Sequence, residues 1–178
     1  MEVSKTTQDI TMDIKFTDAE RVLLANQYAI LGHLEDSSDY KRLSQNLRDG
    51  HEYLYRDLFN WISPEMDRQT TQFVLDALSM YQAINDSWIT LGSPSDIKAQ
   101  DVKWPGFDGN NEGTLYSFSC ALAQDNRFGD QLGERGVNSH SEMTSTYRKM
   151  LAKWRDLGAP RHPMSSDEIK TVLAARGY

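Results

Sequence analysis

The segment W-P-G-F-D-G-N-N-E, residues 104–112, most constrains the fold because it can be neither helix nor strand. Pro105 fixes its own φ and pushes the preceding Trp104 away from the α region. Gly106 and Gly109 permit positive φ, and the two asparagines tolerate it. Helical patterns flank the segment on both sides, so we predict a loop between two helix-rich halves.

This loop, called the aromatic loop below, combines aromatic side chains with acids and amides. Trp104 and Phe107 favour burial, whereas a turn of this composition is normally solvated. We therefore expect both rings to insert into the helical body and to hold the following polar side chains at fixed positions. Those polar side chains are Asp108, Asn110, Asn111 and Glu112.

Composition narrows the class of protein. With 178 residues, of which 39 % are hydrophobic and 25 % charged, the sequence is typical of one globular domain. No apolar run approaches the roughly 20 residues of a spanning helix, and the N-terminus lacks the apolar region of a signal peptide. The single cysteine, Cys120, excludes an internal disulfide and is typical of the cytoplasm. We expect a cytoplasmic protein that makes no use of a membrane.

Charge argues against a nucleic-acid partner, because the formal net charge is −7. The distribution is uneven: residues 1–126 carry 10 basic and 20 acidic side chains, and residues 127–178 carry 9 and 6. One interpretation is that the basic C-terminal third meets the acidic part of its own chain or of a neighbouring subunit. The alternative is a set of independent solvated faces.

Periodicity and capping signals predict an all-α fold, a single domain of about seven helices. The first helix begins at the capping box of residues 17–20, T-D-A-E, and residues 22–34 are apolar around most of the helix circumference. Such a helix is typically central and buried, so we expect the others to pack around it. Asn26 and Gln27 interrupt the pattern and should hydrogen-bond inside the protein or line a site.

Apolar spacing and turn residues place the remaining helices. We predict them from about Ser38 to Gly50, from His51 to Trp61, from Ser63 to Leu91, from Leu115 to before Gly129, from Met143 to Leu157 and from Ser165 onward. The polar stretch Asp96–Lys103 is at most a short helix. No pair of strands is predicted in this core.

The N-terminus is the exception to the helical pattern. Ile10, Met12, Ile14 and Phe16 alternate with polar residues, which predicts a strand over residues 8–16. A lone strand is either a frayed tail or pairs with the same strand of a second subunit, and we expect the pairing. The chain thus divides into an N-terminal extension, residues 1–16, and a helical domain, residues 17–178.

The candidate catalytic residues are Asp108, Glu112 and His140. The turn N-S-H, residues 138–140, is first interpreted as a helix cap. In the functional interpretation His140 converges with Asp108 and Glu112 as a general acid–base set. The residues that would support this polar centre are Trp104, Phe107, Asn110, Asn111 and Asn138.

Two other patterns have a functional and a structural interpretation. Residues 108–113 resemble the first half of a calcium loop, but Ser119 stands where a bidentate glutamate is required. We therefore predict neither a metal site nor a cofactor. The helix from Met143 carries Arg148, Lys149, Lys153 and Arg155 beside Trp154. Such cations bind phosphates or simply complement the helix C-terminus, and we favour the latter.

Four blocks of sequence are similar to the YfbU-like family. They are T-D-A-E-R-V-L-L-A-N-Q-Y, G-F-D-G-N-N-E, N-S-H and Y-R-K-M-L, which begin at residues 17, 106, 138 and 147. The resemblance implies an all-helical cytoplasmic bacterial protein that self-associates. It implies no activity.

We favour a non-enzymatic helical interaction or regulatory protein that acts as a homo-oligomer, with a further protein partner left open. The alternative is a small hydrolase-like enzyme or toxin that uses Asp108, Glu112 and His140. The sequence has no P-loop, no G-x-S-x-G and no other complete catalytic motif, which favours the first hypothesis.

Overall fold

The computed structural model describes residues 15–59, 62–161 and 163–177. The chain divides into two compact units, Met1–Glu65 and Met66–Tyr178. The predicted all-α class is confirmed, because the regular elements within the described ranges are helices. One isolated parallel bridge accompanies them. None of the described helices is long and apolar enough to cross a membrane.

The strand predicted over residues 8–16 lies almost entirely outside the described residues. Phe16, at its end, is described and is not in a strand. Its ring lies 6.2 Å from that of Tyr55, so this residue belongs to the small core of the first unit.

The first unit contains helices α1 (Asp18–Leu34) and α2 (Ser38–Asp49). The capping box at α1 is confirmed: Thr17 Oγ1 accepts the N–H of Glu20, and the Glu20 carboxylate accepts the N–H of Thr17 at 2.8 Å. Helix α2 ends at Gly50, whose φ of 73° is left-handed. The start of α1 and the end of α2 are therefore both determined by residues next to them in the chain.

The prediction that α1 is the buried central helix is wrong. Only Ala25 and Gly32 are buried on it, where it packs against α2. Four large apolar side chains of α1 are more than half exposed: Val22, Leu23, Ile30 and Leu34. A helix that is apolar around most of its circumference favours burial, but its own sequence does not determine which other element covers it. Asn26 is exposed as well and accepts a hydrogen bond from Arg48.

The helix predicted from His51 to Trp61 is also wrong over the part that is described. Two short 3₁₀ turns, Glu52–Leu54 and Arg56–Phe59, follow α2 instead. Their hydrogen bonds span three residues, for example from Tyr55 N to Glu52 O at 3.1 Å. Tyr55, which lies between the two turns, is buried in the small core of the first unit.

The second unit contains six α-helices among the described residues, which with α1 and α2 makes eight in the described ranges, close to the predicted number of about seven. They are α3 (Arg68–Thr90), α4 (Ala99–Val102), α5 (Gly113–Gln124), α6 (Gly129–Leu132), α7 (Thr144–Asp156) and α8 (Ser166–Ala174). Helix α3 is the buried one, and α5, α7 and α8 pack against it. It begins at Arg68 rather than Ser63, because Asp67 accepts the N–H of Thr70 at 2.8 Å and caps it.

The C-terminal end of α8 is tied into the same core by Arg176. Its guanidinium donates to the hydroxyl of Tyr81 at 3.0 Å and to the main-chain carbonyl of Asp101. An ion pair with the Asp101 carboxylate, at 3.4 Å, accompanies these bonds. These contacts hold α8 and α4 on the face of α3 that also receives the aromatic loop.

Candidate functional site

The aromatic loop is inserted into the second unit, as the sequence predicted. The exposed fractions of Trp104 and Phe107 are 4 % and 0 %. The ring of Trp104 stacks on that of Tyr147 in α7 at 4.8 Å, and Tyr81 of α3 meets both rings edge-on. These ring contacts anchor the loop on α3 and α7. Aromatic pairs favour such edge-on and offset arrangements.

Gly106 lets the loop approach the chain segment that precedes α7. Its φ is +94°, and a Cβ on this residue would lie 2.0 Å from the carbonyl oxygen of Val137. The hydroxyl of Tyr147 donates to the Gly106 carbonyl at 2.6 Å. A parallel bridge joins Phe107 to Asn138 immediately afterwards. Only glycine fits this crossing of two backbones.

Asp108 is a buried carboxylate that organises its own turn. One oxygen accepts the N–H of Asn110 at 2.9 Å, and the other accepts the side-chain amide of Asn111 at 2.7 Å. The hydrogen bond from Asn110, followed by that from Asn111, lowers the pKa of Asp108 below its ordinary value. The carboxyl is therefore ionised at neutral pH.

Glu112 is buried too and caps α7. Its carboxylate accepts the main-chain N–H groups of Met143 and Thr144 at 3.0 and 2.6 Å, and the hydroxyl of Thr144. The other oxygen accepts the N–H of Asp108 at 2.9 Å. Burial by itself raises the pKa of Glu112, but the bonds from Thr144, Asp108 and Met143 together lower it below 4.5.

Asn138 connects the loop to the turn that carries His140. Its side-chain oxygen accepts the N–H of Gly109 at 3.2 Å and the N–H of His140 at 2.9 Å. His140 itself has a left-handed φ of 53° and an exposed side chain. Among the described residues its imidazole accepts or donates no hydrogen bond, and it acts on Asp108 only as a minor electrostatic influence.

The structure thus brings Asp108, Glu112 and Asn138 together and leaves the ring of His140 in solvent. Both carboxylates accept hydrogen bonds on both oxygens, and both have a lowered pKa. A general acid must carry a proton near neutral pH, which a lowered pKa disfavours. Within the described ranges, no group of three or more His, Cys, Asp or Glu side chains could hold a metal ion. The hydrogen bonds of Glu112 thus join the aromatic loop and the start of α5 to the start of α7.

Sequence reasoning placed the loop correctly but missed the partner of Glu112. Met143, the residue before α7, has no side chain that can cap the helix. The lack of a capping side chain at Met143 indicates that a residue distant in sequence supplies the cap. No local pattern indicated which residue it is, because Glu112 reaches the helix across more than 30 residues.

Comparison with known proteins agrees with the resemblance noted in the sequence. The model of the YfbU domain matches residues 14–175, which covers parts of both compact units. The chain is 32 % identical over 164 residues to the UPF0304 protein MJECS11 of Methanocaldococcus jannaschii, with 88 % of this chain and 97 % of that protein covered. Since that relative is archaeal, the resemblance does not indicate a bacterial source. The chain belongs to the YfbU family.

Proposed function

We propose that the protein is a non-enzymatic interaction protein that acts as a homo-oligomer through one face of α1. The observation that carries this proposal is the exposure of large apolar side chains there: 66 % for Leu23, 59 % for Ile30 and 78 % for Leu34. Several large apolar side chains exposed together on one helix are typical of an interaction site. The single cysteine supports a cytoplasmic location for this function.

The spacing of this face favours a second copy of α1 as its occupant. Leu23, Gln27, Ile30 and Leu34 follow one another at intervals of four, three and four residues. Alternation of three and four residues is the spacing of a seam along which two helices pack, and Gln27 is the one polar member of this seam. In an antiparallel pair related by a two-fold axis, Leu23 of one copy meets Leu34 of the other. The same face is therefore complementary to itself, as a two-fold interface requires.

The polar centre favours the non-enzymatic function over the hydrolase or toxin alternative. Glu112 and Asp108 bind main-chain donors of their own unit, which accounts for their burial without a substrate. An enzyme built on these residues would need His140 to turn from solvent towards Asp108. Replacement of His140 by alanine would then remove the cellular effect of the protein while its stability stayed unchanged.

Light scattering of the purified full-length protein across a range of concentrations tests the oligomer. We expect the wild type to show a mass above that of the 20.3 kDa monomer. Ile30→Glu should shift the protein to the monomer, because it removes about 1.5–3 kcal/mol of apolar burial per side chain and places a charge in the seam. Ile89→Glu is the matched control, since Ile89 is 57 % exposed on α3.

Three outcomes would change this proposal. A wild type that stays monomeric at all concentrations overturns self-association. An oligomer that survives Ile30→Glu but not deletion of residues 1–15 assigns the interface to the predicted N-terminal strand. If Ile30→Glu lowers the free energy of unfolding of the monomer far more than Ile89→Glu does, the α1 face serves packing within the chain.

A further inference from the structure

Helices α3 and α7 border an open groove of about 1050 Å³ in the second unit. Three cations line it, Arg68 at the start of α3 and Arg148 and Arg155 on α7. Part of its floor is apolar and consists of the half-buried side chains of Phe73 and Leu115. The groove uses none of the residues of the α1 face, so what it binds goes beyond the proposed self-association.

The two acids that line the groove are already engaged. Asp67 accepts the N–H and the hydroxyl of Thr70 at 2.8 and 2.6 Å, and these bonds lower its pKa. Asp76 accepts the amide of Gln72 at 2.7 Å on one oxygen and Arg155 at 2.5 Å on the other. Their hydrogen-bonding capacity is directed into α3 and towards Arg155, away from the other cations.

Arg68 and Arg148, in contrast, form no ion pair among the residues that the structure describes. The guanidinium of Arg148 lies 5.7 Å from the centre of the Phe73 ring. Such stacking positions the planar group and leaves its N–H edges available to a carboxylate or phosphate. Arg148 is thus a pre-positioned donor that has no acceptor among the described residues.

Distances along α7 favour an extended peptide over a single anion. Arg148 and Arg155 are separated by seven residues of helix, which corresponds to a rise of about 10 Å. Three residues of extended chain cover about the same length, roughly 3.3 Å each. Acidic side chains on such a segment can reach successive cations, while an apolar side chain between them contacts Phe73.

We propose that the α3–α7 groove binds an acidic segment of a partner protein, with Arg148 as the main anchor. One carboxylate of the segment accepts a bidentate pair of hydrogen bonds from Arg148, and another meets Arg68 or displaces Asp76 from Arg155. An apolar residue of the segment covers Phe73 and Leu115. The exposed side-chain amide of Gln69 on the rim of the groove is available to the peptide backbone.

A titration monitored by amide NMR shifts of the full-length protein tests this site. The probe is the peptide EELFEE, and the matched neutral probe is QQLFQQ. We expect saturable shifts at residues of the groove with the acidic peptide only, and weaker binding as salt rises, because exposed charges are screened. Arg148→Gln should weaken binding about tenfold or more, as expected for loss of a charged hydrogen-bonded pair.

Lys149→Gln is the control, because Lys149 is exposed on the same helix and does not line the groove. It should change the affinity little. Equal weakening by Lys149→Gln and Arg148→Gln would reduce the effect to net charge and overturn the site. Equal binding of the two peptides, or no saturation up to millimolar peptide, would also overturn it. If inorganic phosphate competes at the same concentration as the acidic peptide, the groove is a phosphate site and the peptide assignment is wrong.

Discussion

The carboxylate of Glu112 caps helix α7 by accepting the main-chain N–H of Thr144, 32 residues further along the chain, at 2.6 Å. Glu112 itself immediately precedes α5, so one side chain joins the starts of two helices. Thr144 also lines the α3–α7 groove. The hydrogen bonds of Glu112 therefore position one edge of the proposed peptide site.

Glu112→Ala should destabilise the second unit by about 1–3 kcal/mol, because it leaves the N–H groups of Met143 and Thr144 without their acceptor. The loss is measured by urea denaturation followed by far-ultraviolet circular dichroism. Glu142→Ala is the control, since Glu142 is an exposed residue of the same type close to α7. Equal effects of the two substitutions would mean that the cap contributes nothing beyond a surface charge.

Stability should decrease as the pH falls below about 5. The pKa of Glu112 and that of Asp108 are lower in the folded protein than their ordinary values of 4.5 and 3.8. The unfolded chain therefore binds protons more readily, and the contribution of both groups is present above those values and lost as the pH falls through the lowered ones. In Glu112→Gln the urea midpoint should depend less steeply on pH than in Glu142→Gln, and identical slopes would contradict the assignment.

Local signals allowed much of this fold to be predicted from sequence. The capping box at Thr17 was predictable, because it is closed by a glutamate three residues later in the same segment. The aromatic loop was also predictable, since Trp104 and Phe107 could not remain in solvent. In each case the residues that determine the structure are neighbours in the chain.

What could not be predicted depends on partners that are distant in sequence. The apolar side chains of α1 matched those of a central helix, yet the buried helix is α3, because several elements of the second unit pack on it. The role of Glu112 was equally hidden, since its acceptor function becomes evident only when Met143 and Thr144 are brought to it. His140 stays an exposed candidate whose role no local pattern determines.

Gly106→Ala should destabilise the protein by more than about 2 kcal/mol, because a steric clash of the added Cβ adds to the strain of a positive φ. Its new Cβ would lie 2.0 Å from the Val137 carbonyl oxygen. Gly92→Ala separates the two effects, because Gly92 has a similar φ of +80° with no atom within 4 Å of the added carbon. Denaturation of both variants should give a clearly smaller loss for Gly92→Ala. Equal losses would show that the backbones of residues 106 and 137 do not cross as described.

Substitutions on α3 and α1 should have very different effects on stability. Leu78 of α3 is fully buried, so Leu78→Ala should cost about 2–5 kcal/mol by loss of apolar contacts and creation of a cavity. Leu34 of α1 is 78 % exposed, and Leu34→Ala should change the free energy of unfolding by less than about 0.5 kcal/mol. Both variants are compared by urea denaturation at a concentration where light scattering finds a monomer, since Leu34 lies in the proposed interface. A loss for Leu34→Ala as large as that for Leu78→Ala would return α1 to the core and leave the proposed oligomer without its exposed face.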